Sequence, residues 1–164
     1  MPAAPGVTIR AARAEDCALI KAFILELAEY ERLAHEVVTT EEALRATLFG
    51  ERPAAEVLIA EVEGEAAAFA LFFHSYSTFL ARPGLYLEDL FVRPAHRKLG
   101  IGAAMMQRLA QVAVERGCGR FEWSVLDWNE PALEFYRRLG AEPMAEWTVQ
   151  RLTGDALARL ASGG

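Results

Sequence analysis

Two cysteines in 164 residues, Cys17 and Cys118, are too few to cross-link a small secreted fold, and neither belongs to a CxxC pair or a zinc quartet. Both read as buried thiols of a reducing compartment. Long apolar runs are missing as well: the longest, residues 66–73, is too short to cross a bilayer. Residues 1–6 have neither the basic region nor the apolar stretch of a secretion signal, so a cytoplasmic protein without membrane association is expected. The three histidines, His35, His74 and His96, have no metal-ligand spacing, and no metal is expected. Positive charge is in deficit, with 17 basic against 23 acidic residues and a net charge of −6. A general nucleic-acid binder would meet net repulsion at that balance, whereas a small cationic partner suits it. Repeats and low-complexity linkers are absent. One domain is therefore expected over residues 1–164, with a core at 5–154 and a tail at 155–164.

What remains is 53% hydrophobic residues arranged with clear periodicity. Ile20, Phe23, Ile24, Leu27 and Tyr30 recur at three- and four-residue steps, which predicts a helix from residue 14 to about 33 after a short strand at 7–10. Thr39 and Glu42 have capping-box spacing ahead of a shorter helix through Leu44 and Leu48. Residues 57–62 and 66–76 read as a hairpin around Gly64, and 85–92 as a third strand of that group. A helix through Ile101, Met105, Leu109 and Val112 should end at Gly117. A strand at 121–126 follows, then a helix capped by Asn129 and stopped at Gly140, a strand at 147–152 and a short tail helix at 155–161. This order implies a mixed α/β sheet, mostly antiparallel, with helices on both faces. Its parallel pair joins 85–92 to 121–126 by a helical crossover.

The most informative segment is Arg97-Lys98-Leu99-Gly100-Ile101-Gly102, between a predicted strand and a predicted helix. Glycines there allow close backbone approach, and the unpaired N–H groups of a helix's first turn attract an anion, with Arg97 and Lys98 adding charge. A diphosphate is the natural occupant; a turn that merely admits the chain to its helix is the plainer alternative. A P-loop is excluded because Ala103 and Ala104 follow Gly102 where a Lys-Ser/Thr pair is needed. A dinucleotide fingerprint is disfavoured because Met105 takes the place of its third small residue.

These residues resemble the Gcn5-related N-acetyltransferases, whose hallmark Arg/Gln-x-x-Gly-x-Gly/Ala is matched by Arg97, Gly100 and Gly102. The resemblance runs through nearly the whole chain. Within that superfamily the chain is most similar to the diamine (spermidine/spermine) and thialysine acetyltransferases. Tyr86-Leu87-Glu88-Asp89 with Phe91-Val92, Gly100-Ile101-Gly102, and Trp128-Asn129-Glu130-Pro131 with Phe135-Tyr136 carry this closer match. It implies a six- to seven-stranded sheet with a splayed central parallel pair. It also implies acetyl-coenzyme A as cosubstrate, held by Leu90, Phe91, Val92, Arg97, Lys98, Leu99, Gly100, Ile101, Gly102, Ala103, Asn129, Glu130, Pro131 and Ala132. Tyr30, Glu31 and Glu88 would contact a small cationic amine, and the enzyme would be a homodimer.

Acetyl transfer from a thioester to an amine needs a neutral amine, donors for the oxyanion and a proton for the departing thiolate. A lysine-like ammonium has a pKa of ~10.4, so a proton acceptor helps. The resemblance assigns that role to Glu88, the oxyanion donors to the backbone near Leu90 to Val92, and the acid role to Tyr136. Residue chemistry alone also allows a solvated Glu88. Leu133, Tyr136 and Leu139 share a packing face, which allows Tyr136 as core. Strand alternation puts Glu88 and Asp89 on opposite faces unless a bulge intervenes. Acetylation of a protein lysine or N-terminus, and a non-catalytic coenzyme-A-binding regulator, are the alternative readings.

Overall fold

The computed structural model describes residues 6–163. Residues 1–5, on which the absence of a leader was read, and Gly164 at the end of the tail lie outside the described residues. The chain divides into two compact units, Met1–Leu126 and Asp127–Gly164.

The first unit is one mixed sheet with helices on both faces. Its strands are β1 (Val7–Ala11), β2 (Glu56–Val62), β3 (Glu65–Ser77), β4 (Arg82–Val92) and β5 (Arg120–Trp123). They lie in the order β1-β2-β3-β4-β5. The first four are antiparallel, β2, β3 and β4 joined by short turns and β1 reaching β2 through the two helices of residues 17–48, and β4 and β5 are parallel, because a helical crossover separates them. Period-two alternation sorts the side chains. Val57, Ile59, Phe69 and Phe91 face one way and bury against Cys17, Ile20 and Phe23 of α1 (Cys17–Tyr30) and Leu44 and Leu48 of α2 (Glu41–Leu48). Phe23 stacks on Phe69 with ring centroids 5.1 Å apart. The intervening residues Leu58, Ala60, Ala68 and Ala70 are equally buried on the other face, the face taken by α3 (Ile101–Glu115) against β3, β4 and β5.

The second unit holds α4 (Glu130–Arg138) and α5 (Gly154–Ala161). The expected strand at 147–152 does not form, so the sheet has five strands among the described residues instead of six or seven, and its parallel pair stands at an edge. Alternating side chains supply a face but no ladder; a strand exists only where a neighbouring edge takes its N–H and C=O groups. Cys17 is buried as expected, whereas Cys118 is only partly so. Among the described residues no helix is long and apolar enough to cross a membrane.

Three helix ends share one geometry. At the end of α3 the N–H of Cys118 donates to Ala113 O (2.9 Å) and that of Gly117 to Val114 O (3.1 Å), with Gly117 at φ 73°. The end of α4 repeats this around Gly140. At the end of α1 the N–H of Leu33 donates to Ala28 O (2.8 Å) and that of Arg32 to Glu29 O (3.1 Å), but the left-handed position is filled by Arg32, at φ 63°. The closing bonds satisfy the helix's last carbonyls, and a Cβ in that conformation costs about 1 kcal/mol. Lacking a glycine signal, the sequence pattern runs this helix on to residue 33, three residues too far. Arg32→Gly is therefore expected to raise stability by about 1 kcal/mol in urea unfolding. An unchanged or lowered midpoint would mean that the arginine side chain offsets the strain.

Candidate active site

One extra residue interrupts the sheet. Between β3 and β4, Leu71 pairs with Asp89 and Phe72 with Leu87, so Glu88 has no partner. The parallel ladder between β4 and β5 stops at the same level, at Leu87 and Trp123. From Asp89 to Val92, β4 keeps its β3 partner but has no β5 ladder on its other side. A bulge reverses side-chain parity: Leu87 pairs into the α3 face, while Asp89 and Phe91 belong to the α1 face. The expected opposition of Glu88 and Asp89 is removed by this bulge, and both side chains line one concavity.

That concavity, about 360 Å³, lies beside the end of α1. Its apolar wall is Ile24, Leu27, Ala28, Leu33, Val37 and Val38, and its charged groups are Glu31, Glu36, Glu88 and Asp89. Four carboxylates and no cation line it. Partial burial raises the Asp89 carboxyl from its ordinary 3.8 to about 6, with further contributions from the charges of Glu88 and Glu31. Burial also raises the carboxyl of Glu31. An alkylammonium here would relieve the repulsion and lie on an apolar wall that fits its methylenes.

Beyond β4 a short turn at Pro94–His96 leads into the glycine segment. Lys98 (φ 67°) and Gly100 (φ 74°, ψ 12°) both adopt left-handed backbone, and Gly100 is the N-cap of α3. Gly102 lies in the helix's first turn, so of the two glycines only Gly100 is required by its angles. Its N-cap place leaves the N–H groups at the start of α3 without intrahelical partners, a geometry that suits a diphosphate. The Arg97 side chain turns back along β4, where its Nε donates to Val92 O at 3.0 Å. Phe91 is buried in the α1-side core, so only its backbone is available at the strand's free edge.

In the second unit, the buried Asn129 caps α4 by accepting from the N–H of Ala132 at 3.4 Å, with Glu130 and Pro131 in the first turn. Tyr136, seven residues on, is half-buried, with its ring 5.4 Å from that of Phe135. Sequence reading missed Asp89 and Glu36 as pocket residues. Asp89 stood in the quoted Leu87-Glu88-Asp89 string, but alternation turned it away; Glu36, in a single 3-10 turn at Ala34–Glu36, gave no periodic signal. Tyr30 is not among the concavity's lining residues, whereas its neighbour Glu31 is.

A carboxyl whose native pKa lies above its unfolded value favours the fold below the unfolded pKa. That contribution is lost as pH rises through the native value. For Asp89 the window runs from 3.8 to about 6. Asp89→Asn is thus expected to unfold at higher urea than the native protein near neutrality, by about 1–3 kcal/mol, with the difference shrinking as pH falls. A difference independent of pH would contradict the buried-carboxyl account.

The acetyltransferase (GNAT) family model matches residues 22–141. A thialysine N-epsilon-acetyltransferase from Bos taurus is 42% identical, the match covering 94% of this chain and 97% of that protein. An L-ornithine N5-acetyltransferase from Arabidopsis thaliana is 34% identical, covering 91% and 85%. Among solved structures, an integron cassette protein from the mobile metagenome of V. cholerae superposes with a TM-score of 0.79 at 27% identity, covering 95% of this chain and 98% of that one. The glycine turn, the broken strand and these similarities converge, and the chain belongs to the GNAT acetyltransferase family and is an N-acetyltransferase.

Proposed function

We propose that the protein moves acetyl from acetyl-coenzyme A to a primary amine of a small cationic acceptor, a diamine, a polyamine or a thialysine-like amino acid, in a ternary complex. The observation that carries this reading is the bulge at Glu88, which aims two carboxylates into an acidic concavity beside the strand edge where β5 has departed. That edge, Leu90 to Val92, would take the pantetheine arm by strand-like hydrogen bonds. Lys98, Leu99, Gly100, Ile101, Gly102 and Ala103 would hold the diphosphate, with Arg97 close by. By the resemblance, Asn129, Glu130, Pro131 and Ala132 would also contact the coenzyme. The family match crosses residue 126, which supports treating both units as one catalytic domain.

In this reading Glu88 takes a proton from the ammonium, directly or through water, and the freed nitrogen attacks the thioester carbonyl. Backbone N–H groups near Leu90 to Val92 stabilise the oxyanion. As the C–S bond breaks, the Tyr136 hydroxyl protonates the departing thiolate; a phenol of pKa ~10 is protonated at neutrality and can serve a thiol of ~8.5. Glu31, Glu36 and Asp89 hold the acceptor's charge, and Tyr30 belongs to the same end of α1. The resemblance also carries a cytoplasmic homodimer into the proposal, which sedimentation and cell fractionation would test.

Coenzyme release measured across thialysine, ornithine, short diamines, spermidine and lysine-containing peptides tests the acceptor class. Turnover of at least one small amine is expected, and turnover of peptides alone would contradict it. Tyr136→Phe is expected to lower kcat by about 10²-fold with coenzyme affinity within about twofold. Glu88→Gln should flatten the alkaline-rising limb of the rate profile. An unaltered kcat in the first variant, or an unaltered profile in the second, would remove that residue from its role.

A further inference from the structure

Two arginines bracket the turn between β4 and the glycine segment, and both reach back to one stripe of α1. Arg93 forks onto Glu26 through Nε and Nη2, each at 3.0 Å from a carboxylate oxygen, and its Nη1 donates to Ala66 O at 3.0 Å. Its guanidinium lies 4.5 Å from the Phe23 ring centroid. Arg97, four residues later, lies 5.3 Å from the ring centroid of Tyr30 and 5.6 Å from that of Phe91. Glu26 and Tyr30 are one helical turn apart on the same face, so the two arginines grip successive turns. The second grip falls on the last residue of α1, next to Glu31 of the acidic concavity and the left-handed Arg32.

We infer that Arg97 is a positioning residue for the acceptor amine. It touches neither the amine nor the reacting atoms. By lying over the Tyr30 ring while its Nε is tied to Val92 O, it restrains the last turn of α1, and that turn sets where the Glu31 carboxylate stands relative to Glu88 and Asp89. A helix end has only part of its backbone bonding and depends on such side contacts for order. The position of Arg97 at the head of the glycine segment suggests a different role, a cation for the diphosphate, and the two roles separate kinetically. A diphosphate cation acts on coenzyme affinity. A restraint on Tyr30 acts on the amine. Lysine keeps the charge but loses the Nε bond to Val92 O and the guanidinium's contact with the Tyr30 ring, so Arg97→Lys tells the roles apart. This inference rests on the acceptor site of the proposed function.

Steady-state kinetics of the full chain at saturating acetyl-coenzyme A, with the best acceptor among thialysine, ornithine and spermidine, provides the test. Arg97→Lys is expected to raise the amine KM about three- to tenfold, a larger change than in kcat or in the coenzyme KM. Arg97→Gln should raise the amine KM similarly, whatever it does to the coenzyme. In a Tyr30→Leu background, Arg97→Lys should change the amine KM much less than in the native background, because the ring contact is already gone. An amine KM unchanged in Arg97→Lys, or effects of the two substitutions that multiply, would overturn the inference. A native enzyme that acetylates no small amine, short diamines included, would overturn the functional reading itself, and this one with it.

Discussion

Glu88 is one residue more than the β3–β4 ladder can pair, and the candidate site depends on that excess. Parity in a sheet is strict, so an unbroken β4 would send Glu88 and Asp89 to opposite faces and keep a regular edge against β5. The extra residue reverses parity at the level where the parallel ladder ends. Two results follow together. Carboxylates gather on the α1 face, and the far half of β4 has an edge with no β5 ladder. A polar strand-like chain such as a pantetheine arm needs such an edge, and a cationic amine needs such a charge cluster.

Gathering carboxylates opposes folding, because burial and mutual repulsion both disfavour their charged forms. The fold tolerates this at Asp89, with its carboxyl raised to about 6. A bound cation would relieve that repulsion. Helix α1 is held from β4 by the Arg93 fork on Glu26 and the Arg97 contact with the Tyr30 ring.

Much of this was legible in the residues. The helical stripe through Ile20, Phe23 and Leu27, the hairpin at Gly64, and the stops at Gly117 and Gly140 are all local signals, and they mark elements that form. Asn129 capped its helix as its type suggests. Thr40 caps α2 where Thr39 was expected, since either threonine can accept from a first-turn N–H and only the backbone path selects one. The bulge was not legible, because a single unpaired residue is a property of two strands' register and leaves no mark on one of them. The same limit applies to residues 147–152, whose alternation names no partner, and to the direction of the Arg97 side chain.

A crystal structure with coenzyme A bound tests the central claim most directly. The account predicts pantetheine amides paired to β4 along Leu90 to Val92, beyond the bulge, with the diphosphate on the backbone N–H groups between Lys98 and Ala103. A coenzyme seated on any other edge or face, with β4 and β5 still separated past Leu87, would leave the broken strand without its purpose and contradict the account.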